Sequence, residues 1–256
     1  MPARGSLAAD EDGGTAWPAV VDRYASARAN VLSRIESACA RVGRDPSEVT
    51  LVAVTKTVPV RSVRAAIAAG FSALGENRVQ DAAPKLAELA ADCPAGGAIA
   101  WHLIGPLQSN KARRAVELFD VIETVDSLAL ARRLDRTAGE IGREVLPVLL
   151  QVNVDADPAK SGYEIDTIAA DLPGLIALPR LRVLGLMTVG RLVSDAAEAR
   201  PTFRTLRELS GRLRGIDPRL GPALSMGMSD DFEVAVEEGA TIVRLGRAIF
   251  GDRRVG

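Results

Sequence analysis

Residues 51–69, LVAVTKTVPVRSVRAAIAA, hold one complete structural unit. An apolar run, Leu51–Thr55, is followed by a polar break at Lys56-Thr57-Val58-Pro59 and then by a stretch of helical period, Val60–Ala69. A run nearly continuous in apolar residues has no polar face to offer water. It reads as a strand buried on both sides, with the following helix as its cover. The alternation recurs along the chain. Further apolar runs lie at Ala73–Leu74, Ile99–Ile104, Val121–Thr124, Leu146–Val152, Val183–Met187, Ala223–Met226 and Ile242–Leu245. Helical patterns at Val79–Ala90, Asn110–Leu118, Ser127–Gly139, Ile165–Leu172, Asp195–Leu213 and Asp230–Glu238 separate them. Eight such units without a break in composition predict an α/β fold, a single (β/α)8 TIM barrel, rather than an open sheet. No Gly-x-Gly-x-x-Gly follows the first run, as a dinucleotide-binding sheet would require.

Ahead of the first unit, Val21, Tyr24, Val31, Ile35 and Cys39 recur at helical spacing between Pro18 and Val42, and Gly43 supplies a stop. This predicts an extra N-terminal helix. It would cover the barrel beside the last strand, whose own helix is expected to be missing because only five residues follow Gly251. Residues 1–16 are rich in Gly, Ala and acidic side chains and lack the basic start and apolar core of a signal peptide. They read as a disordered extension, leaving 17–256 as the barrel domain.

Composition narrows the function. The 32 basic and 33 acidic side chains nearly cancel, which argues against electrostatic capture of nucleic acid. Cys39, Cys93 and the single His102 have no metal-ligand spacing. No apolar run approaches the roughly 20 residues that span a bilayer. A reduced, cytoplasmic protein without a membrane segment is the expectation.

In such barrels the active groups sit at the C-terminal ends of the strands. Lys56 ends the first run, Glu76 and Asn77 the second, and His102 falls near the end of the third. Glu123-Thr124, Asn153 and Met187-Thr188 follow the next three. Asn77 reads equally as a helix cap, and His102 as a hydrogen-bonded residue buried beside Trp101. Lys56 is of a different kind, because a lysine nucleophile must shed its charge to attack a carbonyl and the mouth of an apolar strand favours the uncharged amine. At the last two ends, Ser225-Met226-Gly227-Met228-Ser229 and Arg244-Leu245-Gly246-Arg247 form adjacent turns of small residues, the kind that cradle a phosphate. The inward guanidinium of Arg244 would need an acceptor or an anion there. Strand 1 and strand 8 are neighbours around a closed ring, so one ligand could touch both. A phosphorylated aldehyde held by a lysine Schiff base is the signature of pyridoxal 5'-phosphate. A phosphosugar aldehyde in a Schiff-base aldolase is the chemical alternative, and a phosphate-binding barrel with an ordinary lysine is a third.

Six strings carry a resemblance: Ala53–Thr57, Leu74–Gln80, Trp101–Lys111, Gly185–Thr188, Leu224–Phe232 and Val243–Gly251. Together the chain from about residue 20 to Gly251 resembles the pyridoxal phosphate homeostasis proteins. Their barrel is similar to that of alanine racemases, the fold type III arrangement without its second β-domain. The resemblance implies that Lys56 forms the Schiff base and that Ser225, Gly246 and the Arg247 backbone hold the phosphate. It also implies that Arg244 faces the pyridine nitrogen, that Asn77 and Met187 approach the ring, and that Met226 and Gly227, in the same turn as Ser225, bind the cofactor with it. A protein that binds, buffers and hands on the cofactor to apoenzymes follows from it, with the monomer as the expected assembly. Racemases of the related fold use a tyrosine as second base, and the two tyrosines here, Tyr24 and Tyr163, are not placed like one. An amino-acid racemase remains the alternative.

Overall fold

The computed structural model describes residues 16–90, 99–191 and 193–251. Eight parallel strands close into a barrel in chain order: β1 (Thr50–Val54), β2 (Ala73–Glu76), β3 (Ala100–Leu103), β4 (Val121–Val125), β5 (Leu146–Gln151), β6 (Leu181–Met187), β7 (Ala223–Ser225) and β8 (Ile242–Leu245). The ring closes through β1 and β8, where Thr50 pairs with Ile242 and Val52 with Arg244. Of the expected extension, only Ala16 is among the described residues, at the start of the first helix.

That helix, α1 (Trp17–Val42), buries Val20, Tyr24, Val31, Ile35, Ala38 and Cys39 along one stripe. It stops at Gly43, whose left-handed φ of 68° lets its own amide and that of Arg44 turn back onto the Ala40 and Cys39 carbonyls. The remaining helices are α2 (Val60–Ala68), α3 (Val79–Leu89), α4 (Ala112–Leu118), α5 (Leu128–Glu140), α6 (Ile168–Ile176), α7 (Arg200–Ile216), α8 (Phe232–Glu237) and α9 (Arg247–Phe250). The last strand therefore has a one-turn helix of its own, contrary to expectation. The turn forms because Gly246 accepts from the Ile249 and Phe250 amides, and α1 packs against α9 as well as α2 and α8.

Two expected helices shift. Ile165–Leu172 becomes Ile168–Ile176, carrying Pro173 within it. Asp195–Leu213 divides into a 3-10 turn, Ala196–Ala199, and a helix that begins at Arg200 with Pro201 in its first turn, where a missing N–H costs nothing.

The core has two layers. Most buried apolar side chains lie between strands and helices, while a smaller set, Val52, Ala73, Leu149, Met187 and Ile242, fills the barrel interior. Strand side chains alternate between these layers with a period of two. Counting from the interior set, Val54 and Lys56 share the parity of Val52, Asn77 that of Ala73, Gln151 that of Leu149, and Arg244 and Gly246 that of Ile242. One parity therefore carries each of these strands from the apolar floor up to the mouth.

Candidate functional site

At the C-terminal mouth, Val54, Lys56, Asn77, Ile104, Gly105, Pro106, Gln151, Ala159–Ser161, Val189, Met228–Asp230, Arg244, Gly246 and Arg247 line a cleft of about 480 Å³. That volume suits a small cofactor. Of the chain's four lysines, Lys56 and Lys160 line it. Lys111 is exposed on the 3-10 turn before α4, and the Lys85 ammonium is committed elsewhere.

Lys56 stands on a strained turn. The Val58 amide donates to the Thr55 carbonyl at 3.0 Å, and Thr57 at the corner has a φ of 62°, a region that a β-branched residue enters only when its surroundings hold it there. The holding group is visible. Lys85 of α3 donates to the same Thr55 carbonyl at 2.7 Å and to Glu76 Oε1 at 2.6 Å, and Thr55 Oγ1 donates to that oxygen at 2.7 Å. Glu76 is thus turned outward between strand and helix, as its parity requires, rather than into the mouth with Asn77.

Asn77 does line the cleft. The backbone beside it is close: a Cβ on Gly105 would stand 2.2 Å from the Asn77 carbonyl oxygen. Only glycine allows the β3 loop to reach this position, where Thr124 Oγ1 donates to the Gly105 carbonyl at 2.9 Å.

The opposite wall is built from β7 and β8. Arg244 is 5% exposed, and its head lies above a chain of buried hydrogen bonds. Its Nη1 donates to Ser225 Oγ at 2.6 Å and its Nη2 to the Thr188 carbonyl at 2.8 Å. Ser225 Oγ donates to Glu123 Oε2 at 2.5 Å, and Glu123 Oε1 is 2.6 Å from His102 Nδ1. An ionised carboxylate only accepts, so Nδ1 carries the proton. Burial pushes the Glu123 carboxyl up, but His102, Arg244 and Ser225 together bring it below the ordinary value. For Arg244, burial pulls the guanidinium down while Glu123 and Asp231 pull it up. His102 is therefore a buried interior residue, hydrogen-bonded as one of its two readings expected.

Four residues expected at the cofactor site do not line the cleft. Ser225 is fully buried and does not line the cleft. A hydroxyl has one proton, and that of Ser225 is directed to Glu123 rather than to the cleft. Met187 is fully buried in the apolar floor. Met187, Ser225 and Ile242 form one paired row across β6, β7 and β8, two residues short of Arg244. Met226 has the opposite parity and packs outward into the main core. Gly227 serves packing: its φ is 93°, and a Cβ there would stand 2.6 Å from the Ala235 Cβ of α8.

The serine at the mouth is Ser229, which nothing in the local sequence distinguishes from Ser225. Its turn is ordered by Asp231, whose Oδ1 accepts from the Met228 amide at 2.6 Å; burial raises that carboxyl above its ordinary range. Ser229 Oγ accepts from the Ala248 amide at 3.2 Å, tying this turn to the Gly246-Arg247 turn. Its own proton has no protein acceptor among the described residues. Arg247 pairs with Asp230 across the same two turns. Gln151, Lys160 and Ser161 complete the far side, where Gln151 Nε2 donates to the Ser161 carbonyl at 2.7 Å and Lys160 Nζ to the Gly190 carbonyl at 3.0 Å.

Neither tyrosine lines the cleft. Tyr24 packs on Phe250. Tyr163 pins the loop after β5 through its backbone to Gln151 and Asn153, and burial drives its phenol far above the ordinary value. Among the described residues no group of His, Cys, Asp and Glu could hold a metal ion, and no helix is long and apolar enough to cross a membrane.

A primary amine, a buried guanidinium, and a hydroxyl beside a small-residue turn thus share one cleft, a donor set that fits a phosphorylated pyridine aldehyde. Comparison with known proteins points the same way. A family model described as alanine racemase, N-terminal domain, matches residues 28–254. The pyridoxal phosphate homeostasis protein of Pseudomonas aeruginosa is 44% identical over 229 residues, covering 89% of this chain and 95% of the relative. PipY of Synechococcus elongatus PCC7942, solved without PLP, superposes with a TM-score of 0.77 at 46% identity, covering 86% of this chain and 99% of PipY. The same protein solved with PLP bound gives a TM-score of 0.75 at 44% identity, covering 86% and 100%. Alanine racemase of Clostridium difficile 630 shares the fold alone, at 13% identity and a TM-score of 0.67, with 89% of this chain and 56% of the racemase covered. From the model match over residues 28–254 and relatives aligned over nearly their whole length, this chain belongs to the family of pyridoxal phosphate homeostasis proteins, built on the alanine racemase N-terminal barrel.

Proposed function

We propose that this protein binds pyridoxal 5'-phosphate and serves intracellular homeostasis of that cofactor by holding it and handing it on to apoenzymes. When bound, the cofactor supplies an aldehyde that reacts with amines and a ring that withdraws electrons. Lys56 is the residue we assign to its covalent attachment as a Schiff base. Ser229, Gly246 and the Arg247 backbone take the phosphate, with Ser229 replacing the buried Ser225. Arg244 faces the pyridine nitrogen, and Asn77 flanks the ring.

The observation that carries this reading is the pairing of Lys56 with Arg244 across one cleft. A guanidinium has no proton to give up and no lone pair to accept one, so it leaves a ring nitrogen unprotonated. The ring then withdraws electrons less strongly, which suits a carrier better than a carbanion catalyst. Relatives named for pyridoxal phosphate homeostasis support the reading, as does PipY with PLP bound. The racemase alternative needs a second base on the opposite face, and the position of both tyrosines away from the cleft weighs against it.

The test is spectroscopic. Protein loaded with pyridoxal phosphate should show a visible absorbance band that borohydride removes while leaving a reduced adduct on Lys56. A colourless protein, or an adduct elsewhere, rejects the site. Exchange of the L-alanine α-proton in deuterated water should fall far below the roughly 1–1000 per second of ordinary enzymes; a rate in that range would favour the racemase. Light scattering of the purified protein at working concentration checks the expected monomer.

A further inference from the structure

The interior of a barrel is ordinarily a packed apolar space, yet here four polar side chains from β3, β4, β7 and β8 meet inside it. Glu123 is 0% exposed, lies at the centre and makes none of the proposed cofactor contacts. A buried carboxylate without compensation is costly, so its surroundings define what it holds. It has two neighbours, His102 at 2.6 Å and Ser225 at 2.5 Å, and Arg244 Nη1 lies 3.9 Å from Oε2. The direction of every bond is fixed. Arg244 donates to Ser225, Ser225 donates to Glu123, and His102 donates from the other side, because guanidinium only gives, ionised carboxylate only accepts and a hydroxyl gives once.

We propose that Glu123 is a positioning residue which, through Ser225, fixes the head of Arg244 in the orientation it presents to the cleft. The proposal rests on the reading that Arg244 faces the pyridine nitrogen. Its logic is geometric: of the two hydrogen bonds found for the Arg244 head, one ends on the Thr188 carbonyl and the other on Ser225. Glu123 fixes the hydroxyl of that serine as an acceptor toward the arginine. With a neutral amide at 123, the serine proton no longer has a charged acceptor and can rotate toward the guanidinium, which has no lone pair to receive it.

The test compares pyridoxal phosphate with its 1-deaza analogue, which lacks the ring nitrogen. Glu123→Gln should weaken retention of pyridoxal phosphate at least tenfold while changing that of the analogue less than threefold. Ser225→Ala, which removes the relay while leaving Glu123 its His102 partner, should do the same if the glutamine variant fails to fold. Equal losses for both ligands would make Glu123 a general support of the barrel and overturn the proposal. Arg244→Met separates the two levels: if that variant also fails to discriminate between the ligands, the reading of Arg244 itself is wrong. A second readout needs no cofactor. His102 is the only histidine, so its imidazole NMR signals are unambiguous, and Arg244→Met should shift them through the relay in cofactor-free protein. Unmoved signals would show that Arg244 and Glu123 are not coupled.

Discussion

Two buried carboxylates support Lys56 and Arg244 on the two walls of the cleft, and they do so differently. Glu76 and Lys85 act on the backbone: their bonds reach the Thr55 hydroxyl and carbonyl and hold the turn that presents Lys56. Glu123 acts on a side chain, reaching the Arg244 head through Ser225. The difference matches the two roles. A lysine that makes and breaks a covalent bond needs a fixed base and a movable amine, whereas an arginine that sets the state of a ring needs a fixed head. Clamping the chain at the Thr55 carbonyl fixes the base of the lysine, and clamping the arginine at its nitrogens fixes its head.

The largest effect should come from the residue that the clamp presents. Lys56→Ala should abolish the visible band and the borohydride-reducible adduct while leaving the far-UV circular dichroism unchanged. A surviving adduct, located by peptide mass spectrometry, would break the comparison; Lys160 is the other lysine on the cleft. Next, Ser229→Ala combined with Gly246→Val should weaken binding of pyridoxal phosphate on the order of a hundredfold, given about 1.5–3 kcal/mol for a hydrogen bond to a charged group. Unphosphorylated pyridoxal should be much less affected. Losses of equal size for both ligands would place the phosphate elsewhere.

The backbone clamp should reveal itself in stability. Lys85→Met strands the Glu76 carboxylate, which is 1% exposed beside a lysine side chain that is 10% exposed, and loss of one member of such a pair costs about 3–5 kcal/mol. Urea unfolding should show that loss, and adding Glu76→Gln should restore part of it. If the double variant is no better than the single one, the two side chains do not act as a unit.

A smaller effect concerns acid. The folded Glu123 carboxyl lies below its unfolded value, so the unfolded chain binds the extra proton and stability rises with pH across that window. The contribution is complete above the usual carboxylate value of about 4.3 and is lost as pH falls through the lower, folded value. Glu123→Gln should flatten the stability profile below roughly pH 4.5; an unchanged slope there would remove the charge from the relay. Smallest of all, Met187→Leu should cost under about 1.5 kcal/mol and leave the visible band in place, because the residue packs in the floor. A shifted band would return Met187 to the ring.

Most of the fold was legible in the sequence because its signals are local. Leu51–Thr55 followed by Val60–Ala69 declares a buried strand and its covering helix, and eight repetitions declare the barrel. Lys56, Asn77, Arg244, Gly246 and Arg247 all line the cleft, and that position was legible because each sits at or just past the end of a strand. Parity alone turns Glu76 and Met226 outward, a signal present in the sequence once the strand is aligned to the floor.

Depth was decided elsewhere. Ser225 and Ser229 share a parity and a motif, yet one lies beneath the cleft and the other on its rim. The stagger between β6, β7 and β8 puts Ser225 in the row of Met187 and Ile242, and no local pattern encodes stagger. The Glu123 and Lys85 contacts likewise join residues up to 102 positions apart. The sequence by itself determined the class of fold and which side chains face inward, through periodicity and strand ends. Only the closed tertiary structure decided which of those side chains meet, because closing the ring fixes the register that brings distant strands to one level.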